Sequence, residues 1–252
     1  MKICVLGSGS KGNTTYIESN NSKILIDLGN TCKYVTNKLK EIGVDADSLN
    51  GILISHTHKD HIGGLEVFLK KNDIPVYLTK NMLEELSFIN NYVLIDDEDF
   101  SIGDIRVESI KTSHNAIDSR GFILYDDHSS IVQITDTGYI NKKYYKKLEN
   151  KNLYIMESNH DIEMLTNGSY PSHLKQRIYS DKGHLSNYDA SRYISMFIGK
   201  STKYILLAHL SEKNNTSDLA YNELISRLKE DNRSIDNIII TSQNEKTEFI
   251  EV

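Results

Sequence analysis

The string His56-Thr57-His58-Lys59-Asp60-His61 constrains this chain more than any other feature. It follows directly on the apolar run Gly51-Ile52-Leu53-Ile54 and precedes Ile62-Gly63-Gly64. Four side chains able to ligate a metal therefore fall within six positions, just past a short buried strand. In extended backbone, residues two apart share a face, so His56 and His58 converge on one point. A tight turn then carries Asp60 and His61 to an adjacent point. Imidazole together with carboxylate suits zinc, iron or manganese rather than calcium. A solvated polar loop accounts for one His or one Asp; it accounts poorly for four at this spacing before a glycine pair.

Such a string needs partners from distant sequence. His114 lies in KTSHN after a strand ending at Ile110, Asp136 in TDTG after IVQIT, and His209 in AHLS after YILLA. Each stands just beyond the C-terminal end of an apolar run. Open α/β sheets gather their sites at that edge. Taken singly, each residue reads as a cap or a core histidine; their common placement makes them one centre.

The remaining pattern predicts a single mixed α/β domain over residues 1–252. Strands fall at 2–6, on either side of Asn20-Asn21-Ser22, and at 51–54. Later strands fall near 75–78, 92–95, 104–110, 122–126 and 130–135. From residue 141 onward, helices (141–148, 186–198, 218–229) alternate with strands (152–156, 203–208, 236–241). Thr31 and Gly43 bracket a helix over 31–42, and Ser186 with Asp189 resembles a capping box. In the helix at 186–198, Ala190, Tyr193, Ile194 and Phe197 share one face.

Charge and cysteine usage narrow the class. Lys and Arg number 29 against 35 Asp and Glu, a net charge of −6. That balance excludes a generic basic nucleic-acid binder but leaves room for a local basic groove or for metals that supply positive charge. Cys4 and Cys32 do not make a disulfide framework. The first apolar run ends at Leu6, too short for a signal-peptide core, and no segment approaches ~18 consecutive apolar residues. These features predict a soluble, cytoplasmic protein with no membrane association; no stable protein partner is inferable. Gly7-Ser-Gly9-Ser-Lys-Gly12 satisfies a dinucleotide fingerprint, yet the β-type run TTYIES follows where a helix is required. Asn13 also stands where a phosphate-binding loop needs Lys. The loop reads as a hairpin connection that can offer backbone N–H groups and Ser10 or Asn13 to a phosphate.

Through H-T-H-K-D-H at 56–61, His114, Asp136 and His209, the chain resembles the metallo-β-lactamase fold superfamily of binuclear metal hydrolases. The resemblance spans essentially the whole chain. It implies an αβ/βα four-layer sandwich, two mixed β-sheets face to face with helices outside. It also implies two divalent ions (zinc, manganese or iron). One takes His56, His58, His114 and Asp136; the other takes Asp60, His61, Asp136 and His209. Asp27, in LIDLG, matches the superfamily's first acidic motif and is expected to orient a ligand histidine.

Within that superfamily, His58 disfavours the oxygen-reducing branch, which prefers Glu there. T-S-H-N at 112–115 departs from the P-G-H context of the hydroxyacylglutathione hydrolases. The chain has no room for a β-CASP insert, and the β-lactamases themselves lack this carboxylate-rich set. GSGSKGN (7–13), ESNHD (157–161), YPSHLKQRI (170–178), GHLSN (183–187) and AHLSEKNN (208–215) together resemble the YycJ/WalJ/VicX family. That resemblance implies a 5′-to-3′ DNA exonuclease using a metal-bridging hydroxide as nucleophile. GHLS also resembles the tRNA 3′-processing nucleases, whose corresponding His aids catalysis.

The expected catalytic groups are thus Asp60, Asp27 and His184, the last as proton donor to the leaving oxygen. Asn159 is expected to anchor its loop, and His160 to contact either substrate or structure. Lys175 and Arg177 point the same way if their segment is extended, and an Arg there can grip a phosphate bidentately. His128 and His173 read as surface or core residues. The competing expectation is a small-molecule metallo-hydrolase for a cyclic phosphodiester, thioester or lactone. A closed pocket, in place of an open groove lined by Tyr170, Lys175 and Arg177, would mark it.

Overall fold

The computed structural model describes every residue from Met1 to Val252. The first half supplies strands β1 (Lys2–Gly7), β2 (Thr14–Glu18), β3 (Lys23–Ile26), β4 (Gly51–Leu53), β5 (Val76–Leu78) and β6 (Tyr92–Leu94). Helices α1 (Cys32–Glu41), α2 (Lys59–Ile62), α3 (Leu65–Leu69) and α4 (Lys80–Glu85) lie among them. The second half supplies β7 (Phe100–Ile102), β8 (Ile105–Lys111), β9 (Arg120–Tyr125), β10 (Ser130–Ile134), β11 (Leu153–Glu157), β12 (Tyr204–Ala208) and β13 (Asn237–Ile240). Its helices are α5 (Tyr145–Leu148), α6 (Ile162–Asn167), α7 (Ser172–Tyr179), α8 (Asn187–Phe197) and α9 (Ser217–Glu230). Strand β14 (Ile250–Glu251) closes the chain against β1.

The strands form two seven-stranded sheets, β14-β1-β2-β3-β4-β5-β6 and β13-β12-β11-β10-β9-β8-β7. Each sheet is mixed. β1 to β3 run antiparallel and β3 to β6 parallel. β7 to β10 run antiparallel and β10 to β13 parallel. The strand period of two explains the layers. In β1, Ile3 and Val5 enter the core between the sheets, while Cys4 and Leu6 face α1, α3 and α4. In β11, Leu153 and Ile155 enter the inner core, while Tyr154 and Met156 meet α8 and α9. Three apolar cores therefore separate four layers, the predicted sandwich. Both faces of most strands are covered, so they read as near-continuous apolar runs. Truncating a buried anchor such as Phe122 to Ala is of the class that costs ~3–5 kcal/mol.

Local signals place the connections. Thr31 caps α1 by accepting from the Tyr34 N–H, and Gly43, at φ +72°, ends it. Asn20-Asn21-Ser22 joins β2 to β3 with Glu18 opposite Lys23. The glycine loop connects the antiparallel pair β1 and β2, with no helix after it. Cys4 and Cys32 are free and buried. No helix is long and apolar enough to cross a membrane.

One segment departs from expectation. Residues 172–179 are helical, not extended, so Lys175 and Arg177 lie roughly 200° apart around α7. The short helix α6 and the strands β7 and β14 were likewise absent from the sequence pattern.

Candidate metal centre

The two sheets bring their strand ends to one edge. Asp27 follows β3, His56 follows β4, His114 follows β8, Asp136 follows β10 and His209 follows β12. At three of these exits the chain reverses through left-handed backbone: Asp27 at φ 60°, Asp136 at φ 58° and His209 at φ 54°. Such conformations are uncommon outside glycine, though Asp and His are enriched there, and they cluster at functional sites. The loop after β3 packs directly on α2, because Gly29 lies where any Cβ would collide with the Asp60 carbonyl.

Three groups of ligand atoms result, one of them Asp136, Glu157, His184 and His209. His56, His58 and His114 present ring nitrogens within 4.8 Å of one another; so do the ligand atoms of Asp60, His61, Asp136 and His209. Asp136 connects the groups. Its Oδ1 lies 3.3 Å from His209 Nε2 and 3.8 Å from His114 Nε2, and its Oδ2 lies 3.1 Å from His61 Nε2.

The outer nitrogens of the rings are fixed by protein groups. His61 Nδ1 donates to Asp27 Oδ2 at 2.7 Å, and Asp27 also accepts from the Ser55 backbone N–H and hydroxyl. His114 Nδ1 donates to the Gly183 carbonyl at 3.0 Å, and His209 Nδ1 to Asn13 Oδ1 at 3.1 Å. His56 Nδ1 lies 3.1 Å from Ser55 Oγ. For His56, His61, His114 and His209, Nε2 is thereby turned to the centre, the arrangement that orients metal ligands. His61 Nε2 also lies 3.0 Å from Asn13 Nδ2, and His58 presents Nδ1, 3.2 Å from His114 Nε2.

The donor set fits divalent metal. His56 Nε2 and Asp136 Oδ2 are buried and make no hydrogen bond. An unpaired buried polar atom is costly, and a cation between such atoms removes that cost. Burial, with His61 alongside, holds the His56 imidazole well below its ordinary range; burial also lowers His58, and His114 to about 4. Neutral imidazole is the form that ligates metal. For Asp136, burial opposes the charge, but His209 and His61 outweigh it and hold the carboxyl well below the usual range. Asp136 therefore stays anionic.

Beside this floor stands His184. Its Nδ1 donates to Glu157 Oε1 at 2.6 Å and lies 3.6 Å from Asp136 Oδ1. Burial disfavours its charge, but Glu157 outweighs burial and raises the imidazole to about 9. Glu157 is fully buried at the end of β11, and its other oxygen accepts from the backbone N–H groups of Thr137 and Leu185. Sequence reasoning passed over this residue. The available signal was a carboxylate ending the apolar run LYIM, where an acidic side chain needs a partner.

His58, Asp60, His114, Asp136, His184 and His209 line an open cavity of about 270 Å³. Ser10, Asn159 and Ser211 form one wall; Tyr170, Leu174, Arg177 and Ile178 form another. Ser10 and Arg177 thus lie where substrate contacts were expected. Asn159 lines the cavity and also anchors its loop, donating to the His209 carbonyl at 3.0 Å.

Three expected contacts lie elsewhere. Asn13 is buried behind the ligands, holding Gly9 and His209, and does not reach the cavity. His160 is buried 1% exposed outside the lining, with its imidazole lowered by burial to about 4. Lys175 turns away on α7 and donates to the Thr166 carbonyl at 2.7 Å. The helical period, where an extended chain was assumed, separates Lys175 from Arg177. His128 and His173 are exposed.

The fold and the His/Asp cluster define a metal-dependent hydrolase of the metallo-β-lactamase fold. A solved structure of that fold, YhfI from Bacillus subtilis, superposes with TM-score 0.77 at 19% identity, covering 98% of this chain and 99% of that one. Residues 1–86 match the family model described as Anti-Pycsar protein Apyc1. Exodeoxyribonuclease WalJ of Streptococcus pneumoniae is 37% identical over 236 residues, covering 90% of this chain and 88% of the relative. Exodeoxyribonuclease YycJ of Bacillus anthracis is 38% identical over 229 residues, covering 87% and 86%. The chain belongs to the WalJ/YycJ family.

Proposed function

We propose that this protein is a binuclear metal-dependent phosphodiesterase that removes nucleotides from DNA ends in the 5′-to-3′ direction. One observation carries the reading. The cavity floor is a paired His/Asp cluster, and its wall holds Arg177, whose guanidinium makes no hydrogen bond or ion pair within the protein. An arginine left free above a metal-ligand floor suits a phosphate diester. The relatives named exodeoxyribonuclease support DNA as the polymer.

His56, His58, His114 and Asp136 would hold one ion, and Asp60, His61, Asp136 and His209 the other. When bound, two such ions neutralise the phosphodiester and make a water acidic enough to attack near neutral pH. The chain's own residues do the rest. Asp27 and Ser55 fix the His61 ring, and Asn13 fixes His209. Arg177 and Ser10 hold phosphate oxygens. His184, kept protonated by Glu157, delivers a proton from Nε2 to the departing oxygen.

The test is a nuclease assay on metal-stripped protein refilled with manganese, zinc or iron. Substrates are end-labelled single- and double-stranded DNA, matched RNA and a small chromogenic phosphodiester. Asp136→Asn is the control, because Asn tolerates the left-handed backbone at that position. Progressive release of mononucleotides from DNA 5′ ends, absent in the variant, is expected. Turnover of the small ester alone, with every polymer intact, would move the protein to the small-molecule hydrolases.

A further inference from the structure

The cavity is chemically lopsided. Its floor and most of its rim are polar, and its three apolar side chains, Tyr170, Leu174 and Ile178, all come from the stretch that enters and forms α7. Leu174 and Ile178 are four apart and share one face of that helix with Arg177. A soluble helix normally turns its apolar stripe to a core. Here part of that stripe lines an open cavity beside an unpaired guanidinium. Tyr170, just before the helix, lines the cavity half-buried, with Lys213 Nζ over its ring at 5.5 Å from the centroid. It is the one aromatic side chain of the lining apart from the ligand histidines and His184.

The metal floor and Arg177 account for a phosphate. They give no reason for a confined apolar wall. A nucleotide does, because its base is a flat apolar plate a few ångströms from its phosphate. Stacking on an aromatic ring is also tolerant of sequence, since every base has a π-face. A cation over the ring adds positive charge beside the same plate.

We propose that Tyr170, backed by Leu174 and supported by Lys213, is a stacking platform for the base of the nucleotide being removed. The inference rests on the nuclease reading above and deepens it. The protein would detect the presence of a base and be indifferent to its identity. The terminal base would have to leave its own stack and pairing partner to reach the ring.

The test compares 5′-end oligonucleotides that carry either an ordinary terminal nucleotide or a tetrahydrofuran abasic one, at matched sequence. The wild type is expected to favour the ordinary end by roughly tenfold in kcat/KM, within the range that aromatic stacking supplies per base. The four bases should differ by much less. Tyr170→Ala should bring the ratio near unity, chiefly through KM, whereas Tyr170→Phe should preserve it. Leu174→Ala should reduce it partially. Near-ultraviolet circular dichroism and bound-metal content establish that each variant is folded. A wild type that degrades DNA equally fast from abasic and ordinary ends overturns the platform and leaves the nuclease reading intact. So does a folded, metal-loaded Tyr170→Ala that retains the full ratio. A wild type that degrades no DNA at all overturns the nuclease reading first, and the platform with it.

Discussion

Replacing Asp27 by Asn should uncouple the two halves of the metal centre. Asp27 accepts three hydrogen bonds: Oδ1 from the Ser55 N–H at 2.8 Å, and Oδ2 from Ser55 Oγ and from His61 Nδ1 at 2.7 Å each. Asparagine matches the carboxylate in shape and tolerates the left-handed backbone at φ 60°. It has only one acceptor oxygen. If that oxygen takes the Oδ2 position, the amide NH₂ faces the Ser55 N–H, and a buried donor is left unpaired at a cost of ~1–3 kcal/mol. If it takes the Oδ1 position, the NH₂ faces His61 Nδ1. The ring then keeps its proton on Nε2, the nitrogen that faces Asp136. Losing such an orienting partner typically lowers metal affinity ~10–100-fold, or ~1.4–2.7 kcal/mol. The expected result is weakened binding at the His61 site, with the His56/His58/His114 site nearer its original affinity. Competition titration against a chromogenic chelator resolves the two ions, and urea unfolding of metal-free protein reads the stability arm. Unchanged stability together with two unchanged affinities would refute the orienting role of Asp27.

His184→Gln should slow release of a poor alkoxide leaving group by ~10²–10⁴-fold. The loss should be clearly smaller for a nitrophenyl ester, whose leaving group needs no proton; equal losses on both would count against proton delivery. A separate pH effect lies far from the metals, at Asp126. Its carboxylate accepts from the Met1 ammonium, from the His128 and Ser129 N–H groups and from Ser129 Oγ. Burial raises its pKa, but these donors outweigh burial and bring it to about 2. A depressed carboxyl contributes stability above its unfolded value and loses it as pH falls through the folded one. Untagged wild type should therefore exceed Asp126→Asn by about 2 kcal/mol at pH 6, falling to roughly half by pH 3 in urea titrations. Chelation should lower the melting temperature by several degrees, since a ligand at a hundred times its Kd contributes ~2.7 kcal/mol, and ~2–4 °C accompanies each kcal/mol at this size. A melting point indifferent to chelator would contradict a metal-filled centre.

The metal floor was legible because its residues are local or stand at strand ends. HTHKDH is contiguous, and His114, Asp136 and His209 each close an apolar run whose pattern announces a strand. Asp27 was legible only through the resemblance, by its place in LIDLG. What lay around the floor was harder to read. Glu157 also closes an apolar run, but its function is a contact with His184, 27 residues away, and a single sequence does not show which carboxylate meets which imidazole. Asn13 sits in a loop that looks built for phosphate, yet the loop turns its side chain inward to Gly9 and His209. Lys175 and Arg177 were paired on the assumption of extended backbone. Pro171 followed by Leu174 and Ile178 was the overlooked helical signal, weak because the segment spans only two turns.

The sequence by itself determined the alternation of strands and helices and the chemistry of the ligand set. These follow from periods of 2 and 3.6 and from the donor atoms each side chain carries, which are properties of short stretches of chain. Only the tertiary structure decided which oxygen or nitrogen holds each ring, which polar side chains face the cavity and which lie behind it, and that one wall is apolar. Those depend on where two sheets and the segment between β11 and α8 meet. That meeting is fixed by packing between residues far apart in the chain, where a rotation of one helix by half a turn exchanges a substrate contact for a surface lysine.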